Sequence, residues 1–421
     1  MKIMWLCNTP LPEMYRSVGM KYGNENWLVG ISDELRRQEG IEFYYVFPQM
    51  RTQYTMRATI NNISFWGYYN YSKHGSPYIT DKRNEENLEK IIRQINPDIV
   101  HIFGTEMHHT IECINAVSDS QSIVVSIQGL VSECAKHYLD GISLKDALAV
   151  KIGRCGWDSS LRKKYQFYRR GLNEKEALRK VKYVIGRTEW DKACVKRINP
   201  SCKYYYCSET LRSIFYEGQW NIHNVERHSV FVSQGSYEIK GLHTLLYALP
   251  DIRKRFPDTK VYVAGNDTFL KETAYGKYIR KIIKREKLDK AVKFVGFLNE
   301  KDMYRMLHKA HVMVMPSNCE NSPNSVGEAM LVGLPVVASN VGGVSSIAHN
   351  GRDAVLFKSC DYTGLARSVC AVFGNNKLAV MMSDNGKITA EKLYSRKNNM
   401  TQLLEIYQDI CKRSQKKKYS L

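Results

Sequence analysis

The chain has 421 residues, a length that fits two or three domains. Hydrophobic residues make up 43% and charged residues 25%, which excludes a disordered chain, a collagen-like repeat and a disulfide-stapled miniprotein. The 62 Lys and Arg exceed the 42 Asp and Glu by 20, an excess that predicts an anionic partner: nucleic acid, an acidic membrane face or a phosphorylated ligand.

Residues 3–7 form an apolar run too short for a signal peptide and read as a first buried strand. Further short apolar runs follow at 43–47, 99–103, 123–127, 183–185 and 204–206. A second series lies at 230–232, 260–264, 292–295, 312–315, 335–338 and 354–357. Amphipathic stretches such as 85–95, 242–256, 278–286 and 301–310 separate them. Continuous apolar strands alternating with helices predict parallel sheets covered on both faces. The expected fold is α/β, with two doubly wound, Rossmann-like domains facing across a cleft. Residues 1–210 would form the N-terminal domain and 225–390 the C-terminal one. Residues 391–421 would be a helix crossing back to the first domain plus a basic tail. The polar stretch 208–228 marks the switch.

Two insertions interrupt the pattern. Residues 51–82 carry Phe65, Trp66, Tyr68, Tyr69 and Tyr71 and read as an extra strand or hairpin with loops. Residues 151–182 hold eleven Lys and Arg against three acids, with Trp157, Tyr165, Phe167 and Tyr168 among them. The 11 cysteines contain no CxxC pair, so zinc-ribbon spacing is absent and reduced, cytosolic thiols are expected. No run approaches the roughly 18 apolar residues of a membrane span.

In parallel sheets, ligands collect beyond the carboxyl ends of strands. The run at 230–232 leads into Gln234-Gly235-Ser236-Tyr237-Glu238-Ile239-Lys240-Gly241. A lysine beside helix-start amides suits a phosphate or pyrophosphate; the same residues also read as an ordinary βα turn. The run at 312–315 leads into Pro316-Ser317-Asn318-Cys319-Glu320-Asn321-Ser322-Pro323-Asn324-Ser325, with a helix starting near Asn324. Glu320 and Glu328 lie eight residues apart, so both carboxylates could face one ligand, or both could be surface glutamates at a helix start. Gly342 and Gly343 follow the run at 335–338 and read either as amides open to a ligand or as a tight loop. On the N-terminal side, Gly19, Gly23 and Asn24 precede a helix, and His101, Glu106, His108 and His109 flank the run at 99–103. These histidines read as buried or surface groups more readily than as metal ligands.

The run P-S-x-x-E-N-S-P-N-S-V-G-E-A-M-x-x-G-x-P-V-V-A-S-x-V-G-G resembles the donor-site signature of family-four retaining glycosyltransferases (glycosyl transferases group 1) of the GT-B fold. S-Q-G-S-Y-E-I-K-G, V-x-V-A-G-N and F-V-G-F lie upstream at matching intervals. The resemblance is strong over about 228–375 and looser before it. It implies transfer of a sugar from a nucleotide-diphosphate sugar to a hydroxyl of a glycan or lipid-linked acceptor, with retention. Front-face attack assisted by the donor phosphate is the mechanism commonly proposed for this family. No metal and no further cofactor are implied. Lys240 would meet the pyrophosphate, Glu320 the donor sugar and Glu328 the ribose. Asn321, Ser322, Asn324 and Ser325 would bind sugar and phosphate, with Gly235, Ser236, Gly342 and Gly343 close by. Gly296, Phe297 and Leu298 would meet the base, and Gly23, Asn24, Glu106 and Gln128 the acceptor.

Two positions depart from the family pattern. The usual second diphosphate cation, an arginine five residues before the lysine, is Gly235 here. The usual His-Gly of the first domain is Gln128-Gly129, and glutamine does not titrate. A nucleotide-sugar 2-epimerase of the same fold and a non-catalytic sugar-nucleotide-binding protein are the alternative readings. The basic, aromatic stretch 151–182 and the basic tail suggest docking on an anionic membrane surface, the alternative for the stretch being a solvated helix face. The expected setting is cytoplasmic and peripheral on the inner membrane face, in cell-surface polysaccharide assembly. No nucleic-acid-binding motif is present.

Overall fold

The computed structural model describes residues 1–17, 27–72, 76–117, 122–148, 150–151, 157–266 and 268–418, with side chains of the last helix described to residue 414. In chain order the strands begin with β1 (Lys2–Leu6), β2 (Glu42–Gln49), β3 (Met56–Ile60), β4 (Ile63–Tyr69), β5 (Ile99–Phe103) and β6 (Ser122–Ser126). Next come β7 (Val150–Lys151), β8 (Trp157–Asp158), β9 (Tyr183–Gly186), β10 (Lys203–Tyr206) and β11 (Ser229–Val232). The series closes with β12 (Lys260–Ala264), β13 (Val292–Gly296), β14 (Val312–Met315), β15 (Val336–Ser339) and β16 (Val355–Phe357). All twelve apolar runs read from the sequence are strands; the central ones, β1, β5, β11, β14 and β15, are buried on both faces and need no polar side to declare them.

The chain forms two compact units. The first comprises Met1–Ser132, Tyr168–Leu211 and Tyr394–Leu421; the second comprises Glu133–Phe167 and Arg212–Leu393. Residues 133–167 pack with the second unit although they precede residue 210 in the chain.

In the first unit the sheet order is β10-β9-β6-β5-β1-β2-β4-β3. All pairs are parallel except the hairpin β3–β4, which is antiparallel and supplies the free edge. This hairpin is the aromatic insertion: Phe65 and Tyr68 point inward and are fully buried, while Trp66 lies under the Arg57 guanidinium, 3.9 Å from its ring centre. Strand β5 is buried at every residue, including His101. His101 Nδ1 lies 2.6 Å from the Tyr407 hydroxyl and Nε2 2.6 Å from Ser126 Oγ. Trp5 Nε1 donates to the same Tyr407 oxygen at 2.9 Å. Burial holds the His101 pKa down at about 3, so the ring is neutral and serves the core. Tyr407 comes from helix Arg396–Lys418, which also brings Met400, Leu403, Ile406 and Ile410 into the core around Trp5.

The second unit has the sheet order β13-β12-β11-β14-β15-β16, every pair parallel. Its order reverses between β11 and β14. That reversal is where a doubly wound sheet opens its ligand crevice.

Candidate active site

The loops after β11 and β14 meet at that reversal. Gly241 closes the first loop with φ +66°, and a Cβ there would lie 1.9 Å from the Pro316 carbonyl oxygen. Only glycine allows this approach. The Asn318 amide donates to the Ile239 carbonyl at 2.8 Å, so the two loops are joined backbone to backbone. Their side chains then meet: Lys240 Nζ donates to Glu320 Oε1 at 2.6 Å, and Ser317 Oγ donates to the same oxygen at 2.8 Å. Burial opposes the Lys240 ammonium, but Glu320 together with Tyr237 and Cys134 raises the lysine pKa. The lysine is therefore charged throughout the physiological range.

A third loop supports Glu320 from behind. The Gly343 amide donates to the Glu320 carbonyl at 3.1 Å, and a Cβ on Gly342 (φ +53°) would sit 1.9 Å from that carbonyl oxygen. The Gly343 amide is thus used to hold the Glu320 backbone, and Gly342 is the close approach that makes this possible.

Helix Asn324–Val332 starts beside Glu320 and ends at Gly333 in the left-handed region, φ +85°. Asn321 and Ser322 are buried just before it, and Asn324 and Ser325 are half-buried in its first turn. Glu328 lies one turn further and is buried. Arg212 Nε and Nη2 both donate to Glu328 Oε1, at 3.0 and 2.8 Å. The sequence reading missed Arg212, which lies 116 residues from its partner in the stretch taken as a linker.

Gly235 follows β11, and a Cβ there would lie 2.5 Å from Val263 Cγ1 and 3.0 Å from Leu242 Cδ2. The backbone runs against the core at this point, which leaves no room for an arginine side chain. Ser236 Oγ donates to the Asn266 carbonyl at 3.0 Å. After β13, Gly296 has φ +72°, Leu298 is half-buried, and Phe297 is 59% exposed. Such exposure gives a flat apolar ring for a ligand to cover.

Residues 133–167 are fastened to these loops. Glu238, two residues before Lys240, is fully buried and accepts from Tyr138 Oη at 3.0 Å and from Ser160 Oγ, with Lys163 Nζ 3.7 Å away. The Asp140 carbonyl accepts from Asn318 Nδ2 at 3.0 Å and pairs with His243 Nε2 at 3.0 Å.

The first unit has its own order reversal, between β1 and β5. Cys7 and Glu106 lie beyond these strands. The Glu106 carboxylate folds back over Gly104, which has φ +88° and no Cβ to block it. Burial raises the Glu106 pKa, against the pull of Arg170 and Arg187. Arg170 Nε donates to the Glu106 carbonyl at 2.8 Å. Gln128 follows β6, and its carbonyl accepts from Arg187 Nη2 at 2.9 Å. Arg187 also pairs with Glu209 at 2.9 Å. A cavity of about 40 Å³ is lined by Gln128, Arg187, Glu209, His101 and Ser126 among others. That volume admits about one or two waters and not a sugar ring. Arg187 and Glu209 follow the ends of β9 and β10, so the strand-end rule that found Gln128 would have found them.

The loops carrying Glu106 and Gln128 share one anchor. Glu174, on helix Ser160–Lys180, is fully buried. It accepts from the amides of Val131 and Ser132 at 2.8 and 3.1 Å, from Ser132 Oγ at 2.5 Å and from Thr105 Oγ1 at 3.1 Å. Burial pushes its pKa up to about 7 against these donors.

The histidines past β5 are internal. His108 Nδ1 pairs with Glu112 at 2.7 Å, and burial lowers the His109 pKa to about 3. Among the described residues, no group of three or more His, Cys, Asp or Glu is arranged to hold a metal ion, and no helix is long and apolar enough to cross a membrane. Gly23 and Asn24, expected on the acceptor side, lie outside the described residues.

Three comparisons bear on this architecture. Residues 215–389 match the family model "Glycosyl transferases group 1". Glycogen synthase of Mycobacterium tuberculosis is 32% identical over 143 residues, 34% of this chain and 33% of that protein. The chain thus spans about a third of the length of this curated relative. Sucrose-phosphate synthase of Thermosynechococcus elongatus superposes with TM-score 0.69 at 15% identity, covering 97% of this chain and 98% of that one. Anabaena HepE, solved in complex with UDP, gives TM-score 0.67 at 15% identity, covering 97% and 100%. The strand order, the loops at the reversal of the second sheet and these likenesses converge: the chain has the GT-B fold, and its residues 215–389 match the model of the group 1 glycosyltransferases.

Proposed function

We propose that the protein is a retaining, metal-independent glycosyltransferase that moves a sugar from a nucleotide-diphosphate sugar to a hydroxyl of a glycan or lipid-linked acceptor. The observation that carries this reading is the 2.6 Å Lys240–Glu320 pair at the order reversal of the second sheet, with Glu328 on the helix that follows Glu320. The UDP bound to HepE supports a nucleotide-sugar donor.

In this reading the donor diphosphate enters beside Lys240. The lysine then faces two anionic partners, the diphosphate and Glu320. As the bond to the leaving diphosphate stretches, negative charge grows there, and a fixed ammonium stabilises that charge more than it stabilises the ground state. The N-terminus of helix Asn324–Val332 adds its partial positive charge. Glu320, held by Ser317 and by the Gly343 amide, orients the sugar hydroxyls. Glu328 accepts from the ribose hydroxyls, and Arg212 keeps it aimed. Phe297 and Leu298 cover the base. With no arginine at Gly235, the diphosphate is held by Lys240 and by main-chain amides. Glu106 and Gln128 in the first unit receive the acceptor hydroxyl.

The acceptor is read as lipid-linked because of the surface of helix Ser160–Lys180. Leu161, Tyr165, Tyr168 and Leu172 recur at helical spacing and are 37%, 53%, 54% and 44% exposed. At about 100° per residue, Lys164 and Lys175 flank this stripe on one side and Arg162 and Arg169 on the other. An apolar stripe bordered by cations suits the interface of an anionic bilayer. This reading places the protein in the cytoplasm, on the inner face of the membrane, in cell-surface polysaccharide assembly.

The test is a binding screen of UDP-, GDP- and ADP-sugars, followed by mass spectrometry of lipid acceptors with the active donor. Lys240→Ala and Glu320→Gln should each lower turnover about 100-fold or more, and EDTA should leave it unchanged. Unchanged turnover in both variants, or epimerised donor formed without any acceptor, would overturn the proposal.

A further inference from the structure

Two thiols lie against the Lys240–Glu320 pair. Cys134 is half-buried on helix Val131–His137, and Cys319 is buried in the loop after β14, immediately before Glu320. Their sulfurs are 3.8 Å apart, and neither is in a disulfide. Both residues belong to the second unit. The surrounding contacts hold them in register. Asp140, one helix turn and a half beyond Cys134, accepts through its carbonyl from Asn318, the neighbour of Cys319. Tyr138, between them, is tied to Glu238. Two segments fixed so closely present their thiols to each other at high effective concentration. The Lys240 ammonium and Cys134 interact electrostatically, and the thiolate is the reacting form of a cysteine.

We propose that Cys134 and Cys319 form a reversible disulfide under peroxide and that this bond shuts down the donor site. The Cys134 thiol attacks hydrogen peroxide, its sulfur is oxidised to a sulfenic acid, and one water leaves. The Cys319 thiol then attacks that sulfur, the S–S bond forms, and the sulfenic oxygen departs as a second water. Two thiols are oxidised and one peroxide is reduced to two waters. Closing from 3.8 Å to a bond of about 2.05 Å draws the loop that carries Glu320 toward residues 133–167. The loop is then covalently held, and the Lys240–Glu320 pair loses the freedom to adjust as a diphosphate enters beside it. A dithiol reductant reverses the change by exchange.

The effect on activity rests on Lys240 and Glu320 being the donor site; formation of the bond does not. The full chain is therefore treated with hydrogen peroxide, digested without reduction and mapped by mass spectrometry, in parallel with nucleotide-sugar turnover. The expected result is a Cys134–Cys319 cross-linked peptide about 2 Da lighter than the two thiol peptides together. Turnover should fall about tenfold or more with the cross-link and return with dithiothreitol, while Cys134→Ser keeps its turnover in peroxide. Absence of that peptide, or pairing of either residue with Cys360 instead, overturns the proposal. So does a full cross-link that leaves turnover unchanged. A reduced protein inactive with every nucleotide sugar would instead defeat the glycosyltransferase reading, and the peptide map would still decide whether the bond forms.

Discussion

At the scale of single residues, the second unit shows how a missing cation is accommodated. An arginine at position 235 is excluded by Val263 and Leu242 rather than merely absent. Gly235→Arg should therefore lower stability by about 1–3 kcal/mol through overpacking, read as a reduced urea midpoint, without raising donor affinity. Arg212 is the cation that the structure supplies elsewhere, and its task is to neutralise buried Glu328. Arg212→Ala removes the guanidinium from that buried carboxylate and should cost about 3 kcal/mol in unfolding free energy. A conservative Arg212→Lys should recover part of the loss; if both variants match the parent in denaturation, the pair is not structural. Lys240 and Glu320 could be read in the sequence because each follows the end of an apolar strand. Arg212, Glu174 and Glu238 could not, because their roles depend on partners 42 to 116 residues away in sequence, and no local period marks them.

At the scale of elements, helix Ser160–Lys180 works through Glu174. Its pKa is about 7 in the folded chain, above the ordinary 4.5 of a glutamate. The folded state thus holds the proton more tightly than the unfolded state. Stability from this group is complete below the unfolded value and is lost as pH rises through about 7. Glu174→Gln removes that dependence. Between pH 5 and 8 the parent should lose roughly 3 kcal/mol more unfolding free energy than the variant, measured by urea titration at each pH. Parallel losses in the two proteins would mean that Glu174 does not titrate in this window. The hydroxyl of Tyr407 joins Trp5 and His101 in the buried core. Tyr407→Phe should cost about 1–3 kcal/mol by leaving both without their partner, seen as a lower thermal midpoint. Strands were legible because apolar runs buried on both faces stand out against polar helix surfaces. The attachment of residues 133–167 to the second unit was not, since it is decided by buried Glu238 and the Asp140 carbonyl, neither of which differs in type from a surface residue.

At the scale of the molecule, the charge excess of 20 and the exposed stripe of helix Ser160–Lys180 lead to one measurable outcome. Binding to vesicles containing anionic phospholipid should weaken as salt rises toward about 1 M, where the screening length falls to about 3 Å. Replacing Tyr165 and Leu172 with serine should weaken it further at fixed salt, and equal binding to neutral vesicles would remove the electrostatic half of the idea. The division into units has another consequence. The chain passes between them four times, after Ser132, Phe167, Leu211 and Leu393. The wall that Met400, Leu403, Ile406 and Tyr407 build around Trp5 is therefore made on the ribosome some four hundred residues after the strand it covers. Until that helix emerges, the nascent first unit bears an uncovered apolar seam, and the second unit has everything it needs to close before it. Synthesis order and completion order are thus reversed: the part begun first is finished last.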